Sequence, residues 1–338
     1  MYDFGMLRVA SLKARLLRSN SRLVGSAAFT AGRWLADSPL GLAGKGRLIV
    51  DSLQPVDPLR KEEQLPPLEV VIPFVLKDME TLRPSIEGAI ASSRNPVARV
   101  TLITPQRSFL EFPNLREQLE ILFSQFSQGG VLFELLIDEE FLPQNVISYL
   151  QRADLKPRDR GWVTQQFAKL SAVLNSDFAG TLVVDADTVL MYRRTWLSQD
   201  GRQILMFGQE SRDPFFSFAN QFHGFTGRPR FSFVTHHQLM QRSVLSEIFG
   251  SADGLLDLLE FASTKSLSDN PLRAISEYEI YGAYLSQARK EFCVPATWGN
   301  GSGNRMLLGR SEGGDASWAL SVSYHHYLSR SGTPDNLL

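Results

Sequence analysis

The stretch Leu182-Val-Val-Asp-Ala-Asp-Thr-Val-Leu190 constrains this chain more than any other. An apolar run that stops at acids reads as a strand buried on both faces. On an extended backbone alternate side chains share a face, so Asp185 and Asp187 can reach one point in space. Ligands of open α/β sheets bind outside the carboxyl ends of such strands. Two carboxylates there suit a hard divalent cation with positions left for phosphate oxygens. Coincidence is the plainer alternative, since an Asp-x-Asp is expected about once in a chain of this length and ordinary composition. The strand context weighs for a site.

The preceding segments place that strand in a fold class. Leu68 to Pro73 reads as a strand, Met79 to Ser93 as a helix, and Val97 to Thr104 as a second strand. Leu115 to Phe126 is helical in pattern, and Val131 to Ile137 reads as a third strand. Gly161 to Asn175 carries an apolar stripe of Val163, Phe167, Leu170 and Leu174. Strands alternating with helices predict an α/β fold with a doubly wound, mainly parallel sheet flanked by helices. Right-handed crossovers would then set the loops after Ile72, Ile103 and Val184 along one edge.

Charge and composition narrow the partners. With 338 residues and a net charge of -1, the chain is long enough for two fused halves and gives no argument for nucleic acid. A single cysteine, Cys293, excludes an internal disulfide framework and fits a reducing compartment. No apolar stretch reaches the length of a membrane span, and no apolar region of the secretory type follows the early charges. Residues 1–67 form a basic arm and a Gly- and Pro-rich connector. Within residues 1–33, Arg8, Lys13, Arg15, Arg18, Arg22 and Arg33 face only Asp3. A basic amphipathic helix usually packs its apolar side on its own domain, or else rests on an anionic membrane surface. The expected setting is the cytoplasm, with any membrane contact weak, peripheral and made by this arm at the inner face.

Several polar residues fall where a ligand would meet the sheet edge. Lys77 and Asp78 follow the first strand and could contact a base or ribose, or be plain loop charges. Trp162, Gln166 and Lys169 form a second face on the helix before the acidic strand. Lys169 suits a diphosphate; as a solvated lysine its stem would only cover apolar surface. Ser276 and Glu279 have capping-box spacing, which leaves Glu277 as the better candidate for a general base or an acceptor-hydroxyl ligand. Glu277 would also sit well near a helix dipole with no chemical role. His236 and His237 end a short strand, Phe231 to Val234, and begin a helix; they could bind an acceptor sugar or a metal, or serve as buried or capping residues. In Ser321-Val-Ser-Tyr-His-His-Tyr327 the serine face reads as the more open one, which favours His325 over His326 as a third metal ligand. Trp298 to Gly303 is glycine-rich enough for a lid. The phenylalanines between Pro214 and Phe233 could line an acceptor site or an interface, or close the core.

The order of these motifs is similar to that of a bacterial family of largely uncharacterised glycosyltransferases with the GT-A fold. It runs from the strand ending Ile72-Pro73, through Trp162-x-x-x-Gln-x-x-Lys169, Asp185-x-Asp187 and His236-His237, to Ser276-Glu-Tyr-Glu-x-Tyr-Gly282 and a late histidine. The likeness covers approximately Leu68 to Tyr327 and implies a nucleotide-sugar-binding half at 68–195 and an acceptor-binding half at 196–338. It implies that Asp185 and Asp187 hold Mn²⁺ or Mg²⁺ against the diphosphate of a nucleotide-sugar donor, with His325 or His326 completing the coordination. Pro73, Lys77, Asp78, Gln166, Lys169 and Ala186 would line the donor site. His236 and His237 would meet a glycan or lipid-linked acceptor, as in cell-surface polysaccharide synthesis. Glu277 falls near the acid of an x-Glu-Asp motif, with Tyr278 where the aspartate usually stands, and Glu279 is the second candidate catalytic acid. A rival pattern, Asp-x-Asp-x-(Thr/Val)-Leu, resembles haloacid-dehalogenase-like phosphatases, where Asp185 would be the nucleophile. Those enzymes usually open their core domain with the motif, whereas here three strand-helix units precede it. A sugar-binding module without catalysis, its aspartates capping a turn, is the third reading.

Overall fold

The computed structural model describes Leu59 and residues 64–126, 129–208, 213–226, 232–264, 271–302 and 321–324. The basic arm through Arg33, along with Phe231, Gly303, His325 and His326, lies outside the described residues.

Strand β1 (Leu68–Pro73), helix α1 (Met79–Ser92) and β2 (Val97–Thr104) form the first crossover unit. A short helix α2 (Arg107–Glu111) and α3 (Leu115–Ser124) then lead to β3 (Leu132–Ile137). Helices α4 (Asp138–Phe141), α5 (Gln144–Arg152) and α6 (Pro157–Asn175) bring the chain back to β4 (Gly180–Val184). After it come β5 (Thr188–Leu190), β6 (Gln203–Phe207), α7 (Asp213–His223) and β7 (His237–Met240). Helices α8 (Arg242–Phe249), α9 (Leu256–Ser263) and α10 (Glu277–Ala288) follow, then β8 (Cys293–Thr297), β9 (Asn300–Ser302) and β10 (Ser321–Ser323).

The central sheet has the order β3-β2-β1-β4-β7. Its first four strands are parallel, and β7 joins β4 antiparallel. The predicted α/β class with a mainly parallel sheet is therefore what forms. The chain winds outward from β1 to β3 and then returns past β1 to β4. The gap between the carboxyl ends of β1 and β4 is thus the point where the winding reverses, the usual ligand crevice of such sheets.

Alternation along the strands builds the two faces. Leu68, Val70 and Ile72 pack with Leu82, Ile86, Leu115 and Leu119 from α1 and α3. Val71 and Val183 point the other way, onto Val163, Phe167 and Leu170 of α6 and onto residues of α8 and α10. All of these are fully buried or nearly so, and each large side chain contributes about 1.5–3 kcal/mol of burial. Because β7 completes the sheet and α8 and α10 cover one face, the two halves of the chain share one core rather than folding apart.

Three local expectations are corrected here. His237 begins strand β7 rather than a helix, and the helix starts only at Arg242. Pairing with Thr181–Val184 overrides the local pattern, because β4 needs a neighbour on its outer side. The serine face of β10 is closed: Ser321 and Ser323 are fully buried, since β10 is the middle strand between β5 and β9. Ser323 Oγ bonds Thr188 Oγ1 at 2.8 Å, and Ser321 Oγ accepts from Trp298 Nε1 at 2.7 Å. Trp298 is accordingly a core residue at 1% exposure, not the tip of a lid. The phenylalanines of α7 close the core as well: Phe218 is buried against Phe222 and Phe261. Among the described residues no helix is long and apolar enough to cross a membrane.

Candidate functional site

The acidic motif forms the turn between β4 and β5. Asp185 N–H donates to the His236 carbonyl at 2.9 Å, and Thr188 N–H closes the turn on the Asp185 carbonyl at 2.9 Å. Helix α1 grips the turn from one side. Its Ser85 hydroxyl reaches the Ala186 carbonyl at 2.9 Å and the Thr188 carbonyl at 2.8 Å. One helical turn on, Gly88 lets the helix close in, since a Cβ there would lie 2.8 Å from the Leu190 carbonyl oxygen. From the other side, Tyr324 N–H donates to the Asp187 carbonyl at 2.7 Å, so β10 delivers the chain to the second acid just before His325.

Around Asp185 three distant parts of the sequence converge. Lys169 Nζ, from α6, lies 2.5 Å from Asp185 Oδ1 and 2.6 Å from Glu277 Oε1. Tyr278 donates its hydroxyl to the same Asp185 oxygen at 3.0 Å, and its ring lies 4.7 Å from Lys169 Nζ. His236 Nδ1 is 3.1 Å from Asp185 Oδ2; facing an ionised carboxylate, that nitrogen must carry the proton. His236 also holds φ +62°, the one positive φ at a non-glycine among the described residues. A left-handed backbone at such a residue costs on the order of 1–3 kcal/mol and persists only where surroundings impose it, as the two bonds to Asp185 do here.

Exposure falls steeply across the cluster. The side chains of Asp185 and His236 are 22% and 13% exposed, while those of Lys169 and Glu277 are at 3% and 1%. Burial alone would pull the Lys169 ammonium down, but the charges of Asp185 and Glu277 outweigh it and hold its pKa above the ordinary value. Burial alone would raise Asp185; the Lys169 charge and the His236 bond override it and keep the carboxyl well below the usual range. Glu277 goes up, through burial first and repulsion from Asp185 in addition, against the pull of Lys169. The Tyr278 hydroxyl is also pushed up by burial and by Asp185, so it remains a donor.

Of the residues singled out from sequence, Lys169, Asp185, His236 and Glu277 come together, with Ala186 and Asp187 on the adjoining turn. Glu277 faces the Lys169 ammonium and not an open surface. His237 is corrected from an acceptor ligand to a core residue. It is fully buried, its Nδ1 bonds the Thr235 carbonyl at 2.8 Å, and its ring lies 4.3 Å from that of Trp298. Burial pushes its pKa down to about 3, so it stays neutral. Gln166 is buried too and donates to the Trp162 carbonyl of its own helix. Pro73 ends β1 opposite Ile103. Lys77 is exposed on the single turn after β1, while buried Asp78 accepts from Val75 N–H at 3.4 Å and shapes that turn.

Glu279 makes only half of the expected capping box. Ser276 Oγ accepts from Glu279 N–H at 3.4 Å, but the Glu279 carboxyl turns to Ser232 Oγ at 2.5 Å and Phe233 N–H at 2.9 Å. Burial raises its pKa to about 7. Among the described residues no group of three or more His, Cys, Asp or Glu side chains is placed to hold a metal ion. Sequence reasoning missed Ser85 as the clamp on the turn; its one signal was a small polar residue on the apolar stripe of Leu82, Ile86 and Ala89. Compared with models of protein families and with curated proteins, the chain matches none.

Proposed function

We propose that the chain is a glycosyltransferase of GT-A type, moving a sugar from a nucleotide-diphosphate donor to a hydroxyl of a glycan or lipid-linked acceptor. The observation that carries the reading is the meeting of Lys169, Asp185, Glu277, Tyr278 and His236 at the carboxyl end of β4, beside the reversal of the winding. A fold of this kind can host many chemistries, so the site and not the sheet bears the argument.

Breaking the bond between an anomeric carbon and a diphosphate develops negative charge on the leaving oxygens. A preorganised cation in a closed site stabilises that charge without reorganisation. Lys169 supplies a cation at this end of the sheet, held by two carboxylates over the Tyr278 ring. A divalent metal ion, Mg²⁺ or Mn²⁺, would add Lewis-acid stabilisation of the same oxygens. The donor set fits one in kind: Asp187 offers a part-exposed carboxylate, and Asp185 offers what its three donors leave, both hard oxygens of the type these ions take. His325 and His326, next along from Tyr324, are the proposed further ligands.

The acceptor hydroxyl is assigned to His236. Asp185 fixes the imidazole through Nδ1, the arrangement by which a carboxylate orients a histidine for proton transfer. Glu277 acts through Lys169 as a positioning residue. The test is a thermal-shift screen of UDP-, GDP- and CMP-linked sugars with and without Mn²⁺. One nucleotide class should raise the midpoint only with the metal, and Asp187→Asn should abolish the rise. A metal-independent response, or one unchanged in Asp187→Asn, would overturn the reading.

A further inference from the structure

We infer that Lys169 is a resident cation that closes Asp185 to a free divalent ion and yields it only to an ion arriving with an anionic ligand. This deepens the transferase reading and rests on it for the identity of that ligand, a nucleoside diphosphate. Three observations carry it. First, Asp185 is nearly saturated. A carboxylate has about four acceptor positions, and Lys169, Tyr278 and His236 take three of them. Second, the ammonium stands where the ion would bind. A metal at ordinary oxygen distance from Asp185 Oδ1 would lie within about 5 Å of Nζ, with no water between to screen the repulsion.

Third, the ammonium has somewhere to go. Glu277, itself only 1% exposed, holds it at 2.6 Å, and the Tyr278 ring centroid is 4.7 Å away. Detached from Asp185, it would keep one carboxylate and one aromatic face rather than stand bare in the core. A lysine on a flexible four-carbon stem can make that short move, where the rigid fork of an arginine could not. Glu277 therefore serves as the second seat of a two-position switch. A diphosphate entering from the open side brings negative charge that relieves the repulsion between metal and ammonium, so ion and nucleotide favour each other's binding. Such coupling is reciprocal by linkage.

The experiment is Mn²⁺ binding followed by the free-ion EPR signal, with and without UDP or GDP, on the full chain. Wild type should bind Mn²⁺ alone at least tenfold more weakly than Mn²⁺ with the nucleotide. Lys169→Met should bind Mn²⁺ alone at least tenfold more tightly than wild type. Because Lys169→Met leaves two buried carboxylates facing each other, the double variant Lys169→Met/Glu277→Gln, which removes one of them, is measured beside it. Wild type binding Mn²⁺ equally well with and without a nucleotide that it demonstrably binds, or no tightening in a folded double variant, would overturn the inference. If the variants take up Mn²⁺ alone while neither nucleotide binds any form of the protein, the transferase reading fails and the resident-cation assignment stands.

Discussion

Replacing Gly88 by alanine separates two opposing effects whose sizes can be worked from the geometry. In an isolated helix the change would add about 1 kcal/mol of stability, the helix-propensity gap between the two residues. In this chain the new Cβ would lie 2.8 Å from the Leu190 carbonyl oxygen and 2.9 Å from the Leu190 nitrogen. Both are backbone atoms of β5, and β5 is paired with β10, so neither can swing aside. Overpacking of this kind costs about 1–3 kcal/mol. If α1 instead backs away, Ser85 loses its hold on two buried carbonyls, at about 0.5–1.5 kcal/mol for each hydrogen bond. The net expectation for Gly88→Ala runs from no change to a loss of about 2 kcal/mol in urea unfolding, once the propensity gain is subtracted. Gly161→Ala is the matched control. It lies on the exposed side of α6 with only the Arg107 guanidinium at 3.8 Å, and it should gain about 0.4–1 kcal/mol. Gly88→Ala as stable as Gly161→Ala would refute the claim that close approach of α1 shapes the acidic turn.

Further outcomes follow from the same contacts. Ser85→Ala should cost about 1–3 kcal/mol by leaving buried carbonyls without a donor; urea unfolding showing no loss would remove Ser85 from the account. Glu279, raised to about 7 by burial, stays protonated in the folded chain where the unfolded chain has already ionised. The folded state then binds more protons between about pH 4.5 and 7, so stability falls by about 3 kcal/mol as pH rises through that window. Glu279→Gln cannot titrate and should flatten that part of the slope, and identical pH profiles for the two proteins would count against the raised pKa.

How far the sequence could be read depended on the range of the forces involved. The strand at Val97–Thr104 and the helix cap at Ser276 were legible because each is decided by neighbouring residues. His237 was not. Its placement in β7 depends on an unfilled edge beside β4, more than fifty residues earlier in the chain. The closed serine face of β10 had the same cause, since only the partners β5 and β9 make it a middle strand. In the site, Asp185 and Lys169 were found by type and spacing. What spacing could not say is that Lys169 Nζ touches Asp185 itself, or that Glu277, 108 residues later, holds that ammonium as well.

The position of that cluster argues for function over stability. Burying an ion pair usually gains little over well-packed apolar side chains of similar size, because the desolvation penalty offsets the attraction. A second buried carboxylate network, near the amino end of the sheet, accepts that cost in a balanced way: Glu69 takes Arg99 Nε at 2.9 Å and the hydroxyls of Thr101 and Ser176. The cluster at the carboxyl end does not balance. One ammonium serves two carboxylates, which leaves Lys169, Asp185 and Glu277 with a formal surplus of one negative charge at 22% exposure or less. A core selected for stability alone would shed that surplus by a single Glu→Gln change at position 277, keeping the shape and one hydrogen bond to the ammonium. Keeping both acids makes sense where the ammonium must be shared and can be passed from one to the other, at the edge of the sheet where ligands bind.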